Sequence, residues 1–124
     1  MKALLRFWRR GDGASAVEFA LVLPAFIAVT LGMMYLCMMV YASVALHYAV
    51  EDTARCAATS TSTTCSNVQT YGASHYLGPG VSSQTYTLTS VACGKRVVGS
   101  ANFTLFNGLT NRSVALSAQS CFPA

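Results

Sequence analysis

The sequence predicts an α+β fold in which one long N-terminal helix packs on a small three-stranded antiparallel sheet. Three observations support this prediction: a long apolar run in the first half, a helical repeat that continues beyond it, and three later segments in which apolar and polar residues alternate. The chain has 124 residues, of which 53% are hydrophobic and 10% are charged. This composition is typical of a membrane protein that carries one small domain.

The apolar run extends from Phe19 to Val50 without any Lys, Arg, Asp or Glu. A helix needs about 20 apolar residues to cross a bilayer, so this run predicts a transmembrane helix, with its span at about residues 19–42. Four of the cations lie before Gly13. The positive-inside rule therefore places the N-terminus in the cytoplasm and the C-terminus on the outer side, as a single pass.

The helical pattern continues past residue 42, where small and apolar residues recur at three- and four-residue steps. They are Leu46, Ala49, Val50, Thr53, Ala54 and Ala57. Glu51 and Arg55 stand four residues apart on another face, a spacing that favours an ion pair. We therefore expect one helix over residues 14–58 that is half in the membrane and half outside it.

The remaining residues, 59–124, predict a small head on the outer side of the membrane. A Ser/Thr run ends the long helix, a short second helix follows over Asn67–Leu77, and a Gly-Pro-Gly turn comes next. Alternation then predicts an antiparallel meander whose apolar face packs on the long helix. Its three strands are expected over Gln84–Ala92, Arg96–Phe106 and Ser113–Ser120.

The head is too small to build a large core, and small exported domains compensate with disulfides. Cys37 falls within the predicted span, which leaves four cysteines in the outer part of the chain. Four cysteines allow three pairings. We favour Cys56 with Cys65, which closes the Ser/Thr loop, and Cys93 with Cys121, which ties the last strand to the first hairpin. The alternative is that some of them stay reduced.

Several function classes lack their sequence signals. The positive charge is concentrated at the N-terminus and is not interleaved with aromatic residues, which argues against nucleic-acid binding. The head has no carboxylate after Cys65 and no Ser-His-Asp or Cys-His set, so we expect no enzyme. The cysteines lack CxxC spacing, and the Met-rich stretch around Cys37 is typical of membrane packing, so we expect neither metal nor cofactor.

A single carboxylate, Glu18, stands just before the apolar run. Burial of a charged carboxylate in hydrocarbon costs a few kcal/mol, so such a residue is by default functional and needs a partner. The surrounding segment, GASAVEFALVLPAF behind a short basic leader, resembles the processing site of type IV pilin-like precursors. Within that group it is similar to the TadE-like minor pseudopilins of the tight-adherence (Tad/Flp) pilus system.

The resemblance implies a cleavage site and a docking site. An inner-membrane prepilin peptidase would cut after Gly13, so that residues 1–13 form the leader and Ala14 becomes the new N-terminus. Glu18 and Phe19 would then be the docking residues, because Glu18 would meet the terminal ammonium of a neighbouring subunit. That pairing offsets the desolvation of both charges. The alternative for Glu18 is a place at the cytoplasmic interface, with its carboxylate reaching into water.

The favoured function is therefore a pseudopilin-like structural component of a Tad-type pilus or secretion system, with a role in pilus assembly or adhesion. Its expected partners are the prepilin peptidase, other pseudopilins, the Tad inner-membrane assembly platform and the lipid bilayer. Its expected location is the bacterial inner membrane, with the head in the periplasm. The alternative is a single-span exported protein with an uncleaved anchor and no pilus role.

Overall fold

A computed structural model describes residues 13–59, 65, 67–106 and 111–123. The fold is α+β, as predicted: a long N-terminal helix packs against a three-stranded antiparallel sheet. Helix α1 covers Gly13–Thr59 and helix α2 covers Val68–His75. The strands are β1 (Ser82–Val91), β2 (Gly94–Phe106) and β3 (Asn111–Phe122).

The sheet is a meander in the order β1-β2-β3, with both pairs antiparallel. Tyr86 pairs with Gly99 in the first ladder, and Gly99 pairs with Ala118 in the second. Each observed strand extends one or more residues beyond at least one of its predicted ends, because backbone pairing continues past the last residue of the alternating pattern. The meander prediction is confirmed.

The core lies between the sheet and residues 42–54 of α1. The repeat seen in the sequence forms the buried face: Leu46, Ala49, Val50, Thr53 and Ala54 are each at most 1% exposed. Thr53 is the one polar member, and its hydroxyl donates to the carbonyl of Ala49 at 2.6 Å, so its burial leaves no unpaired donor. From the sheet, the core receives Tyr86, Val97, Ala101, Phe103, Leu116 and Ala118.

One position on the inner face of β1 is only partly covered. Leu88 stands two residues after Tyr86 and so on the same face, yet Leu88 is 37% exposed while Tyr86 is 4% exposed. Its partner on the central strand, Val97, is fully buried. Because β1 lies at the edge of the sheet, residues near its far end have cover on one side only, and alternation alone does not reveal this.

Helix α2 holds the free edge of β1 through one side chain. The amide of Gln69 donates to the carbonyl of Gln84 at 2.8 Å and accepts from the backbone N–H of Tyr86 at 2.7 Å. The amide thus makes the two bonds that a neighbouring strand would make, and it satisfies part of the edge of the sheet. Asn67 caps α2 by accepting from the backbone N–H of Thr70.

By its contacts the chain divides into two units, Met1–Leu36 and Cys37–Ala124. The described part of the first unit is helical from Gly13 onward, and the second contains the rest of α1, helix α2 and the sheet. Some predicted segments lie outside the described residues: the basic leader before Gly13, most of the Ser/Thr run, and the link between the second and third strands at residues 107–110. The predicted boundaries of the leader and of the head stay predictions.

Candidate assembly surface

The residues predicted for cleavage and docking lie in the first two turns of α1. Gly13 is its first residue and Ala14 its second. Glu18 and Phe19 are exposed, and Phe19 retains 66% of its surface. Since Ala14 and Glu18 are four residues apart in a helix, they lie on one side of it, one turn from each other.

An unbroken run of exposed residues follows. Every residue from Ser15 to Met38 is exposed, and Met39 is the first that is half-buried. These 24 residues would measure about 36 Å along a helix, close to the thickness of the hydrocarbon core of a bilayer. Helix α1 is long and apolar enough to cross a membrane. An apolar surface of this extent belongs against lipid or against other apolar helices.

Glu18 is the only charged residue within this exposed run. The sequence places no Lys or Arg between Gly13 and Ala54, so the described residues of the first unit contain no cation for this carboxylate. In an apolar environment an unpaired carboxylate is costly. The cation that would offset this cost has to come from elsewhere.

At the other end of α1 two disulfides close the head. Cys56 in the last turns of α1 is bonded to Cys65, with the two Cα atoms 5.6 Å apart. Cys93 in the β1–β2 turn is bonded to Cys121 in β3, with a Cα–Cα distance of 6.4 Å. These are the pairings that the sequence favours. Cys37 is a free thiol on the exposed part of the helix.

The predicted pair on the outer part of α1 is present: Arg55 Nη2 lies 2.7 Å from Glu51 Oε1. Both side chains are more than half exposed, so the pair contributes only a few tenths of a kcal/mol. The Arg55 guanidinium also lies 5.7 Å from the centre of the Phe122 ring. Arg55 therefore connects the end of α1 to the end of β3.

A polar cluster between the two helices was missed by the sequence analysis. Asp52 Oδ2 accepts from the hydroxyl of Tyr71 at 3.1 Å and lies 2.8 Å from Nδ1 of His75. The rings of Tyr71 and His75 stack with their centres 4.2 Å apart. Burial, and then the bond to Asp52, raise the pKa of the Tyr71 phenol, so it stays a protonated donor.

His75 has a half-exposed side chain, 40% accessible, beside Asp52. The missed signal was the i, i+4 spacing of Tyr71 and His75 on the short helix, opposite a carboxylate on α1. Because the members pair with one another, the cluster docks α2 on α1. Among the described residues, no group of three or more His, Cys, Asp or Glu is placed to hold a metal ion.

Most of helix α1 matches a known protein family. Residues 13–55 match the family of TadE-like proteins. The chain is TadE-like over this segment. The match begins at the predicted cleavage glycine and ends at Arg55, so the sheet lies outside it. No match was found among curated proteins or among solved structures.

The TadE-like segment contains both the exposed apolar run and the part of α1 that packs on the sheet. The match and the long apolar helix together suggest a membrane-anchored protein. The TadE-like family is structural rather than catalytic, and its members are associated with other components of the Tad pilus. The chemistry available to the segment is therefore helix packing and charge pairing in the membrane.

Proposed function

We propose that this protein is a minor pseudopilin of a Tad-type pilus, cut after Gly13 by a prepilin peptidase and joined to neighbouring subunits through Glu18. Its N-terminus lies in the cytoplasm and its head in the periplasm, and Phe19 packs beside the docking carboxylate. The observation that carries the proposal is a TadE-like helix whose exposed apolar run, Ser15 to Met38, contains one carboxylate and no Lys or Arg.

The cleavage step is supported by the match to the TadE-like family, which begins at Gly13. Glycine adds no side chain that would obstruct the scissile bond. Cutting after it creates an ammonium at Ala14, one helical turn from Glu18.

N-terminal sequencing of the membrane-extracted protein tests the cleavage step. With the cognate peptidase present, the mature chain should begin at Ala14, and Gly13→Val should leave it uncut because the side chain crowds the bond. Gly11→Ala, which alters the neighbouring glycine, is the matched control and should be cut normally. A mature chain that starts at Met1 would favour an uncleaved anchor without a pilus role.

The docking step is supported by the charge balance of the segment. An ammonium and a carboxylate that meet between subunits offset each other's desolvation, whereas one of them alone in an apolar contact does not. Loss of one partner of a buried pair costs about 3 kcal/mol or more, which lowers an equilibrium constant by roughly a hundredfold. Glu18 would thereby set the axial register between neighbouring helices.

Replacement of Glu18 tests docking separately from cleavage. Glu18→Ala and Glu18→Gln should be inserted and cut, yet be recovered in sheared pilus fractions, or with partner pseudopilins, at a level far below that of the unaltered protein. Glu51→Ala, which removes an exposed carboxylate of the same helix, should be incorporated normally. Normal incorporation of both Glu18 variants would remove the docking role and leave the cleavage result unaffected.

A further inference from the structure

The loop between α2 and β1, residues 76–81, leaves one large apolar side chain uncovered. Leu77 is 70% exposed, more than any other large hydrophobic side chain that the structure describes outside the exposed run of α1. We propose that this loop rests on the outer surface of the bilayer, with Leu77 in the lipid interface, and so fixes the head against the membrane. The inference rests only on the membrane anchor and not on the pilus role.

The loop lies beside the first turns of the part of α1 that carries the head. The hydroxyl of Tyr41 donates to the carbonyl of Leu77 at 2.8 Å. Gly78 approaches so closely that a Cβ there would lie 2.8 Å from the Cβ of Ala45. Met38, the last residue of the exposed run, precedes Tyr41 by three residues, or about 4.5 Å along the helix axis. The loop is therefore at the depth of the lipid headgroups.

The exposure of Leu77 is imposed by the fold around it. Tyr76 and Val81, which flank the loop, are both packed against the core. The Tyr76 hydroxyl donates to the carbonyl of Pro79 at 2.9 Å and closes the turn. Because the loop is held on both sides and by Tyr41, Leu77 has no place in the core to which it can turn.

The charges of the head favour an anionic lipid surface. No Lys, Arg, Asp or Glu occurs between Arg55 and Lys95, so the loop is uncharged, and no carboxylate follows Asp52 anywhere in the chain. Arg112 is exposed near the start of β3. Ser82 follows the loop and pairs with Asn102, and β2 then runs on to Leu105, which pairs with Arg112. The guanidinium thus belongs to the end of the sheet where the loop lies and suits lipid phosphates.

The bilayer fits this surface better than a second protein does. A specific protein interface buries more than about 1,000 Å² with good complementarity, whereas the loop exposes one large apolar side chain, Leu77, next to Tyr41. Tyrosine is enriched at the lipid headgroup level, where its ring is apolar and its hydroxyl is hydrated. Tyr41 and Tyr48, on the outer part of α1, are each more than half exposed.

Tryptophan fluorescence in vesicles tests the proposal. Trp8 is the only tryptophan of the chain, so Trp8→Phe provides a silent background. The full chain with Leu77→Trp would be reconstituted into phosphatidylethanolamine–phosphatidylglycerol vesicles, with and without lipids brominated near the headgroup end of the acyl chains. We expect blue-shifted emission and severalfold stronger quenching by brominated lipid than in the matched control, Leu88→Trp.

Leu88 is a suitable control because it is partly exposed but lies farther along β1 from the loop than Tyr86 does. Tyr86 pairs with Gly99, and a Cβ at Gly99 would touch Val50. Val50 follows Tyr41 by nine residues, which is about 13 Å along α1. Equal and weak quenching at both positions would overturn the proposal. Emission at position 77 that shifts with protein-to-lipid ratio but ignores bromine would also overturn it and assign the surface to a second copy.

Discussion

At the residue scale, helix and sheet approach each other closely at Val50 and Gly99. Val50 is fully buried, and a Cβ built on Gly99 would meet its Cγ2 atom and the edge of the Tyr86 ring. A residue without a side chain at position 99 therefore lets β2 lie directly against α1. Protein interiors tolerate little change in volume, so this contact should be sensitive in both directions.

We predict that Val50→Ala lowers the stability of the head by about 2 kcal/mol, because two buried methyl groups are lost and a cavity remains. For a domain of this size that is roughly a 10 °C fall in the thermal midpoint. The midpoint would be measured in detergent micelles. Val44→Ala makes the same chemical change at a position that is 61% exposed, and it should have little effect.

Gly99→Ala should also destabilise the head, but less so when combined with Val50→Ala, since removal of the valine methyl groups makes room for the new one. The coupling is obtained from a double-mutant cycle of the same thermal midpoints. Additive losses would show that the Tyr86 ring, and not Val50, limits the space at Gly99.

At the scale of elements, the two disulfides close different connections of the head. Cys56–Cys65 closes the link from α1 to α2, with a sequence separation of 9, and Cys93–Cys121 encloses β2 and β3, with a separation of 28. A crosslink stabilises mainly by restricting the unfolded chain, and the longer closed loop gives the larger effect. The sheet should therefore depend more on its disulfide than the helix end does.

Removal of the two disulfides in turn tests this order. In the loop-entropy model, Cys93→Ala with Cys121→Ala costs about 3.6 kcal/mol, and Cys56→Ala with Cys65→Ala costs about 2.6 kcal/mol. The midpoint of the first variant should be lower than that of the second by about 4–8 °C. A mass measurement without reductant checks that the remaining bond is intact in each variant. The reverse order would contradict the loop-entropy argument.

At the scale of the whole molecule, the sequence predicts what depends on local periodicity. The buried stripe from Leu46 to Ala54 and the meander both follow from spacing that the chain itself carries. The exposure of Leu88, the amide of Gln69 on β1 and the Asp52–His75 contact depend on which segments meet in three dimensions. No spacing in the sequence encodes those contacts, so the docking of α2 and the exposure of Leu77 do not follow from periodicity.

The same distinction holds for the candidate site. The TadE-like segment can be recognised from the sequence, because its glycine, its carboxylate and its apolar run are close together in the chain. The apolar run in the sequence continues to Val50, so the sequence does not show where the fully exposed part of the helix ends. In the structure that part covers Ser15 to Met38, because the head begins to bury residues from Met39 onward. Met39 and Ala42, near the end of the predicted span, pack with the head instead.

The order of the cysteines has a consequence for biogenesis. Cys56 is bonded to Cys65, the next cysteine along the chain, and Cys93 to Cys121, again the next. In the proposed orientation the chain enters the periplasm from α1 toward its C-terminus. Cys37 lies within the proposed span. An oxidant that joins each thiol arriving in the periplasm to the unpaired one before it therefore makes both native bonds at the first attempt. Maturation of this head should then proceed without a disulfide isomerase.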